Sequence, residues 1–190
     1  MSPGRAAPLQ AVLVDRPIIW RLASVVAGSW VLAVASWVSV PMYPVPMTMQ
    51  SFVVLVFSGL AGARLSAAIV LTWLAQAAIG LPLLANGAGG LAVFEGPTSG
   101  YLAGFLLAAL ITGWLTERTP MRGWLAMFGV FMLGHALILG FGWARLSLIS
   151  DPAGAWDGGV APFLIGSVVK SVLAVAAVKL LEPFIRSLER

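Results

Sequence analysis

Six apolar segments make up most of this chain, and charged side chains rarely interrupt them. Its mean hydropathy is +0.98, and only 9 % of its residues are charged, which is too few to coat the core of a soluble domain of 190 residues. Backbone groups in a bilayer must form hydrogen bonds internally, so each segment is predicted to be a helix. We therefore predict an all-α membrane protein with six transmembrane helices in a single domain, residues 1–190. The segments are residues 18–40, 48–62, 65–80, 98–115, 123–142 and 161–181.

The basic residues predict which side of the membrane each connection occupies. With six spans and a cytoplasmic N-terminus, only Arg145 would lie outside, and both termini would be cytoplasmic, with residues 1–17 as a short tail. This excess of inner basic residues is typical of multi-pass proteins of the cell membrane. It explains the net charge of +4, so we predict no nucleic-acid partner. The predicted inner basic residues are Arg5, Arg16, Arg21, Arg64, Arg118, Arg122, Lys179, Arg186 and Arg190.

The first segment allows one alternative topology. Residues 33–35, with the sequence Ala-Val-Ala, resemble a signal-peptidase site, and cleavage there would leave five spans. The apolar run continues through Trp37 and Val38, which favours an intact first span.

A glycine-rich stretch, residues 84–105, interrupts the apolar pattern before the fourth segment. Residues 87–92 match a relaxed G-x-G-x-x-A pattern, but no strand precedes them, so a nucleotide loop is excluded. Two interpretations remain: a flexible outer loop, or an outer loop folded over the bundle to line a pocket. Residues 91–94 are apolar and favour the folded loop, since glycine lets a backbone approach a ligand closely. The second and third segments are short, and short spans beside Gly and Pro point to a binding site in transporters.

Lys170 is the most informative single residue. An ionisable side chain within a span costs about 2.5 kcal/mol or more and indicates a function by default. The alternatives are that it snorkels to the interface or pairs with Glu95 or an outer Asp. In an apolar pocket, the ammonium would bind a ligand carboxylate or another strong acceptor. The candidate substrate-binding residues toward the outer half of the bundle are Gln50, Asn86, Gly87, Tyr101, Ser167 and Lys170.

The sequence offers little for catalysis or metal binding. It has no Cys, and its single His135 lies in an apolar run without a nearby carboxylate, so we predict packing or an interhelical hydrogen bond. There is no G-x-x-x-x-G-K-[ST] motif, so the chain is not predicted to hydrolyse ATP itself. An intramembrane enzyme would need a nucleophile with a base, or a metal site. We therefore predict no catalytic residues, no metal and no cofactor.

Several stretches resemble the biotin-specific S components (the BioY family) of energy-coupling factor vitamin transporters. They are IGLP at 79–82, GAGGL at 87–91, GPTSGYLAGF at 96–105 and PVPMTMQS at 44–51. The resemblance covers roughly residues 18–182 and implies a six-helix bundle that captures biotin from outside. It also implies a transmembrane coupling protein and two cytoplasmic ATPases as partners, which hydrolyse the ATP. One departure is Ser167, which stands where the family usually carries an Asp three residues before Lys170.

The resemblance also implies a docking surface on the first helix. In the family, small residues spaced by four contact the coupling protein, and Ala23, Ala27 and Ala35 fit this spacing, with Val31 between. The same spacing suits ordinary helix packing. The alternatives for function are an S component for another small vitamin, a solitary small-molecule transporter, and a structural membrane protein without a ligand.

Overall fold

The structure is a computed structural model that describes residues 7–118 and 123–188. Arg5, Arg122 and Arg190, which entered the predicted charge distribution, lie outside these ranges. Most of the described residues are helical, as predicted. Their helices are α1 (Pro8–Leu13), α2 (Ile18–Trp37), α3 (Gln50–Ala78), α4 (Ser99–Arg118), α5 (Trp124–Ile149), α6 (Pro152–Gly159) and α7 (Phe163–Ser187).

Five of these helices, α2, α3, α4, α5 and α7, are long and apolar enough to cross a membrane. Six spans were predicted, and the difference arises because the second and third predicted segments both lie in α3, a helix of 29 residues. Gly62 interrupts α3 with φ 69° and ψ −176°, a conformation that suits glycine because it has no Cβ. A Cβ at this position would also overlap the carboxylate of Glu117. We call residues 50–61 the first arm of α3 and residues 63–78 its second arm.

The two arms of α3 run in opposite directions along α4. In the second arm, Ser66 donates to the Ala109 carbonyl at 3.2 Å, and the ring centroids of Trp73 and Phe105 lie 6.0 Å apart. Residue numbers in this arm therefore rise as those of the contacting residues in α4 fall. Contacts of the first arm follow the opposite order. Ser51 lines the same cavity as Phe105, whereas the Ser58 carbonyl accepts from Thr116 Oγ1 at 3.0 Å. The chain therefore reverses at Gly62.

Helix α1 lies within the predicted N-terminal tail and was not predicted. It packs against α3 and α7, and Pro8 is buried. Gln10 Nε2 donates to Glu117 Oε1 at 2.9 Å, and the same oxygen accepts from the Ala63 amide at 3.0 Å. Glu117 thus joins α1, the break in α3 and the end of α4.

The connection between α2 and α3 forms a short antiparallel hairpin of β1 (Ser39–Val40) and β2 (Met47–Thr48), with Ser39 opposite Thr48. Pro41, Pro44 and Pro46 lie in this connection, and proline cannot continue a helix. Gln50 ties this hairpin to α2, since its Nε2 donates to Ser36 Oγ at 2.8 Å. The hairpin is thereby held at the end of the bundle where α4 begins, which we call the loop end.

The glycine-rich connection between α3 and α4 also lies at the loop end. Leu83 and Leu84 are each 2 % exposed, and the Leu83 carbonyl accepts from Trp73 Nε1 at 3.0 Å. At the other side, the Arg145 guanidinium of α5 donates to the carbonyls of Glu95 and Gly96. The connection is thus attached to both α3 and α5. It contains two 3₁₀ turns, Ala85–Gly87 and Leu91–Phe94.

Candidate ligand-binding site

A cavity at the loop end is enclosed by α3, α4, α5, α7 and the two connections described above. It contains about 530 Å³ of empty space, part of which is open to solvent. Its walls are mainly apolar. The apolar side chains include Leu102, Phe105, Ile138, Leu139 and Phe163, and the polar ones are Thr48, Ser51, Thr98, Tyr101, His135, Ser167 and Lys170.

Lys170 reaches into this cavity from α7. Its Nζ donates to the Thr48 carbonyl at 2.6 Å and to Ser51 Oγ at 3.4 Å. Within residues 7–118 and 123–188, no carboxylate lies at ion-pair distance from Lys170, and the predicted alternative pairing with Glu95 does not occur. An ammonium group carries three N–H donors, so one remains for a ligand.

Tyr101 and Ser167 also line the cavity, and both hydroxyl hydrogens are used by the protein. Tyr101 donates to the Gly159 carbonyl at 2.7 Å, and Ser167 donates to the Phe163 carbonyl at 2.8 Å. Gly142 leaves room for the Tyr101 ring, which occupies the space where a Cβ would stand. Each hydroxyl oxygen thereby keeps lone pairs and can act only as an acceptor toward a further partner.

The other three predicted binding residues lie away from the cavity wall. Gln50 is 5 % exposed and lies behind it, where its Oε1 accepts from Thr48 Oγ1 at 2.7 Å. Asn86 and Gly87 are exposed in a 3₁₀ turn, with φ of 58° and 71°, although the adjacent Ala85 lines the cavity. The structure thus brings together Tyr101, Ser167 and Lys170 at the cavity. Ligand binding by all six residues stays a prediction.

His135 is a cavity residue that the sequence analysis assigned only to packing or to an interhelical hydrogen bond. The hydrogen-bonding prediction is confirmed: its Nε2 lies 3.3 Å from Ser51 Oγ on α3, and its Nδ1 lies 3.0 Å from Ser171 Oγ on α7. Thr48 and Ser51 were also missed. Both belong to a run of polar residues at the start of an apolar segment, and only Gln50 of this run was predicted to bind a ligand.

The predicted docking residues on α2 have unequal exposure. Ala23 and Ala27 are exposed, together with the intervening Val31, but Ala35 is 6 % exposed and packs within the bundle. The exposed face of α2 thus contains two of the three predicted alanines. A docking role for these residues stays a prediction.

Comparison with known proteins gives consistent relatives. Residues 9–187 match the model of the BioY family. A biotin transporter BioY from Thermotoga maritima is 36 % identical over 75 % of this chain and 84 % of its own length, and one from Rhizobium etli is 38 % identical over 72 % and 78 %.

A solved structure agrees with these sequence relatives. The crystal structure of the S-component for biotin from an ECF-type ABC transporter superposes with a TM-score of 0.81 at 25 % identity, covering 89 % of this chain and 94 % of the other. Transporter relatives and long apolar helices together make this a multi-pass membrane protein. The chain belongs to the BioY family.

Proposed function

We propose that this protein captures biotin and serves as the substrate-binding subunit of an energy-coupling factor transporter. The observation that carries the proposal is Lys170, a cation within a mostly apolar cavity, in a chain whose relatives are biotin transporters. Its role is transport and not covalent chemistry, and biotin is the transported ligand and not a cofactor.

The cavity has hydrogen-bond donors and acceptors that match those of the ureido ring of biotin. This ring carries one carbonyl between two N–H groups, so it needs both a donor and acceptors. Lys170 has a free N–H for the carbonyl oxygen, and the oxygens of Ser167 and Tyr101 accept N–H groups. A carboxylate has no N–H and would face these lone pairs unfavourably. We therefore orient the ureido ring toward Lys170 and the carboxylate toward the loop end.

We further propose six membrane crossings, with both termini in the cytoplasm and the glycine-rich loop outside, folded over the bundle. The opposite directions of the two arms of α3 support a separate crossing for each. Gly62, at the break, lies beside Glu117, so Arg64 and Arg118 belong to the same end of the bundle. Six crossings keep these basic residues on the cytoplasmic side.

The proposed partners are a transmembrane coupling protein and two cytoplasmic ATPases that hydrolyse ATP. The similarity to an S-component of an ECF-type transporter supports this assembly. On this chain, the exposed Ala23 and Ala27 of α2 offer small side chains that allow close approach of a partner helix.

The proposal is tested by identifying the ligand of the purified protein. Mass spectrometry of the small molecule that co-purifies in detergent should detect biotin, and only biotin analogues from a panel of vitamins should displace labelled biotin. Displacement by a different vitamin would instead assign an S component for that compound. A protein that neither contains nor binds any vitamin would contradict the proposal.

A further inference from the structure

The neighbours of the His135 ring favour one of its two neutral tautomers. Its Nδ1 lies 3.2 Å from the Phe131 carbonyl, which can only accept. Nδ1 also lies 3.0 Å from Ser171 Oγ, a hydroxyl that can donate or accept. We infer a hydrogen on Nδ1, because it satisfies the Phe131 carbonyl with Ser171 as a second acceptor, whereas an unprotonated Nδ1 would set its lone pair against a lone pair of that carbonyl. In a neutral ring this leaves Nε2 without a hydrogen, so Nε2 accepts.

Ser51 receives a matching constraint from its other neighbour. Its Oγ lies 3.4 Å from Lys170 Nζ, and an ammonium can only donate. Ser51 Oγ must therefore accept from Lys170, and its own hydrogen is free to point at His135 Nε2, at 3.3 Å. The chain of donors runs from Lys170 through Ser51 and His135 to the Phe131 carbonyl.

In the part of the protein that the structure describes, no acidic residue interrupts this series of hydrogen bonds. Lys170 has no ion-pair partner there, and the position of its Nζ depends on two neutral acceptors, the Thr48 carbonyl and Ser51 Oγ. The carbonyl always accepts, but a serine hydroxyl rotates and can also turn its hydrogen toward the ammonium. The buried imidazole, only 3 % exposed, removes this second choice.

We propose that His135 is a positioning residue for ligand binding: as the neutral Nδ1–H tautomer, it holds the Ser51 hydroxyl as an acceptor for Lys170 and thereby directs the free N–H of Lys170 at the ligand. This role rests on the proposed function, because it acts through the residue that meets biotin. If His135 only filled space, an apolar residue could replace it. The proposed role requires the imidazole.

The tautomer can be measured without any ligand. The chain contains a single His, so the imidazole signals of ¹⁵N-labelled protein, with its tag removed, belong to His135. At neutral pH we expect a protonated Nδ1 and an unprotonated Nε2, with the Nε2 signal shifting in S51A. A proton on Nε2 would overturn the inference, whether or not the protein binds biotin.

Titration calorimetry with biotin tests the effect on binding. H135N retains a donor near the Nδ1 position for the Phe131 carbonyl but does not reach Ser51, whereas H135Q places an acceptor near the Nε2 position. We expect H135N to weaken binding about two- to tenfold, H135Q to retain most of the affinity, and H135N to have no further effect in the S51A background. Losses that multiply in the double variant, or equal losses in both single variants, would show a merely structural role. Absence of biotin binding by the unmodified protein would contradict the proposed function alone, since the tautomer measurement does not depend on it.

Discussion

Single residues in the cavity are distinguished by where their hydrogens go. Tyr101 and Ser167 donate to backbone carbonyls and offer acceptors, whereas Lys170 retains a donor. Buried polar groups without a partner are costly, so a ligand must match this arrangement. The cavity thus selects a group that both donates and accepts.

Replacing Lys170 by Met removes the charge and retains most of the apolar stem. We expect Lys170→Met to weaken biotin binding by tenfold or more, about 1.4 kcal/mol, by titration calorimetry. Biotin amide should lose affinity by the same factor, because the proposed partner of Lys170 is the ureido oxygen. The matched control Lys179→Met, nine residues further along α7, should bind normally. Loss for biotin but not for its amide would mean that Lys170 binds the carboxylate.

Half of the binding residues predicted from the sequence line the cavity, and the reason is physical. Lysine is rare within membrane spans because its charge is costly in lipid, so Lys170 stood out in the sequence. Ser167 was predicted with it because it lies three residues earlier, on the same helix face. Ser51 was missed because small polar side chains also serve ordinary packing between membrane helices. For Asn86, the sequence specified a loop, but only the backbone path determines which loop side chains turn inward.

Among the elements, α3 departs most from expectation. The sequence placed a boundary between residues 62 and 65, and the structure reverses the chain there at one residue, Gly62, without a separate loop. A single positive φ does this, and hydropathy does not report backbone angles. Helix α1 escaped prediction for a related reason: it is six residues long, and its position depends on contacts with distant residues such as Glu117.

Gly62→Ala should destabilise the protein. Alanine at φ 69° and ψ −176° costs about 1–3 kcal/mol, and its Cβ would also displace the Glu117 carboxylate. We expect the midpoint of thermal unfolding in detergent to fall by about 2 °C or more. The control Gly129→Ala lies in α5, where a Cβ meets no atom within 4 Å, and should leave the midpoint unchanged or raise it. Equal midpoints for both variants would contradict a strained break.

For the whole molecule, the number of crossings determines which connections share a side of the membrane. If both arms of α3 cross, the β1–β2 hairpin and the glycine-rich loop lie on the same side. If α3 crosses once, they lie on opposite sides. The contacts of the arms with α4 favour the first arrangement.

Cysteine labelling separates these topologies, and the chain contains no native Cys to interfere. Tyr43 in the hairpin is 94 % exposed, and Leu91 in the glycine-rich loop is 72 % exposed. A membrane-impermeant maleimide added to intact cells should label both Tyr43→Cys and Leu91→Cys. Ser187→Cys, near the end of α7, should react only after the cells are opened. Labelling of Tyr43→Cys without Leu91→Cys would contradict six crossings.

The free N–H of Lys170 also protects the cavity from the membrane around it. A bilayer is a concentrated reservoir of acyl chains, and an apolar cavity among membrane helices can admit them. An acyl chain has no acceptor, so it would leave this N–H without a partner, at about 1–3 kcal/mol. Lipid is thereby disfavoured beside Lys170, and this part of the cavity stays available to a polar molecule.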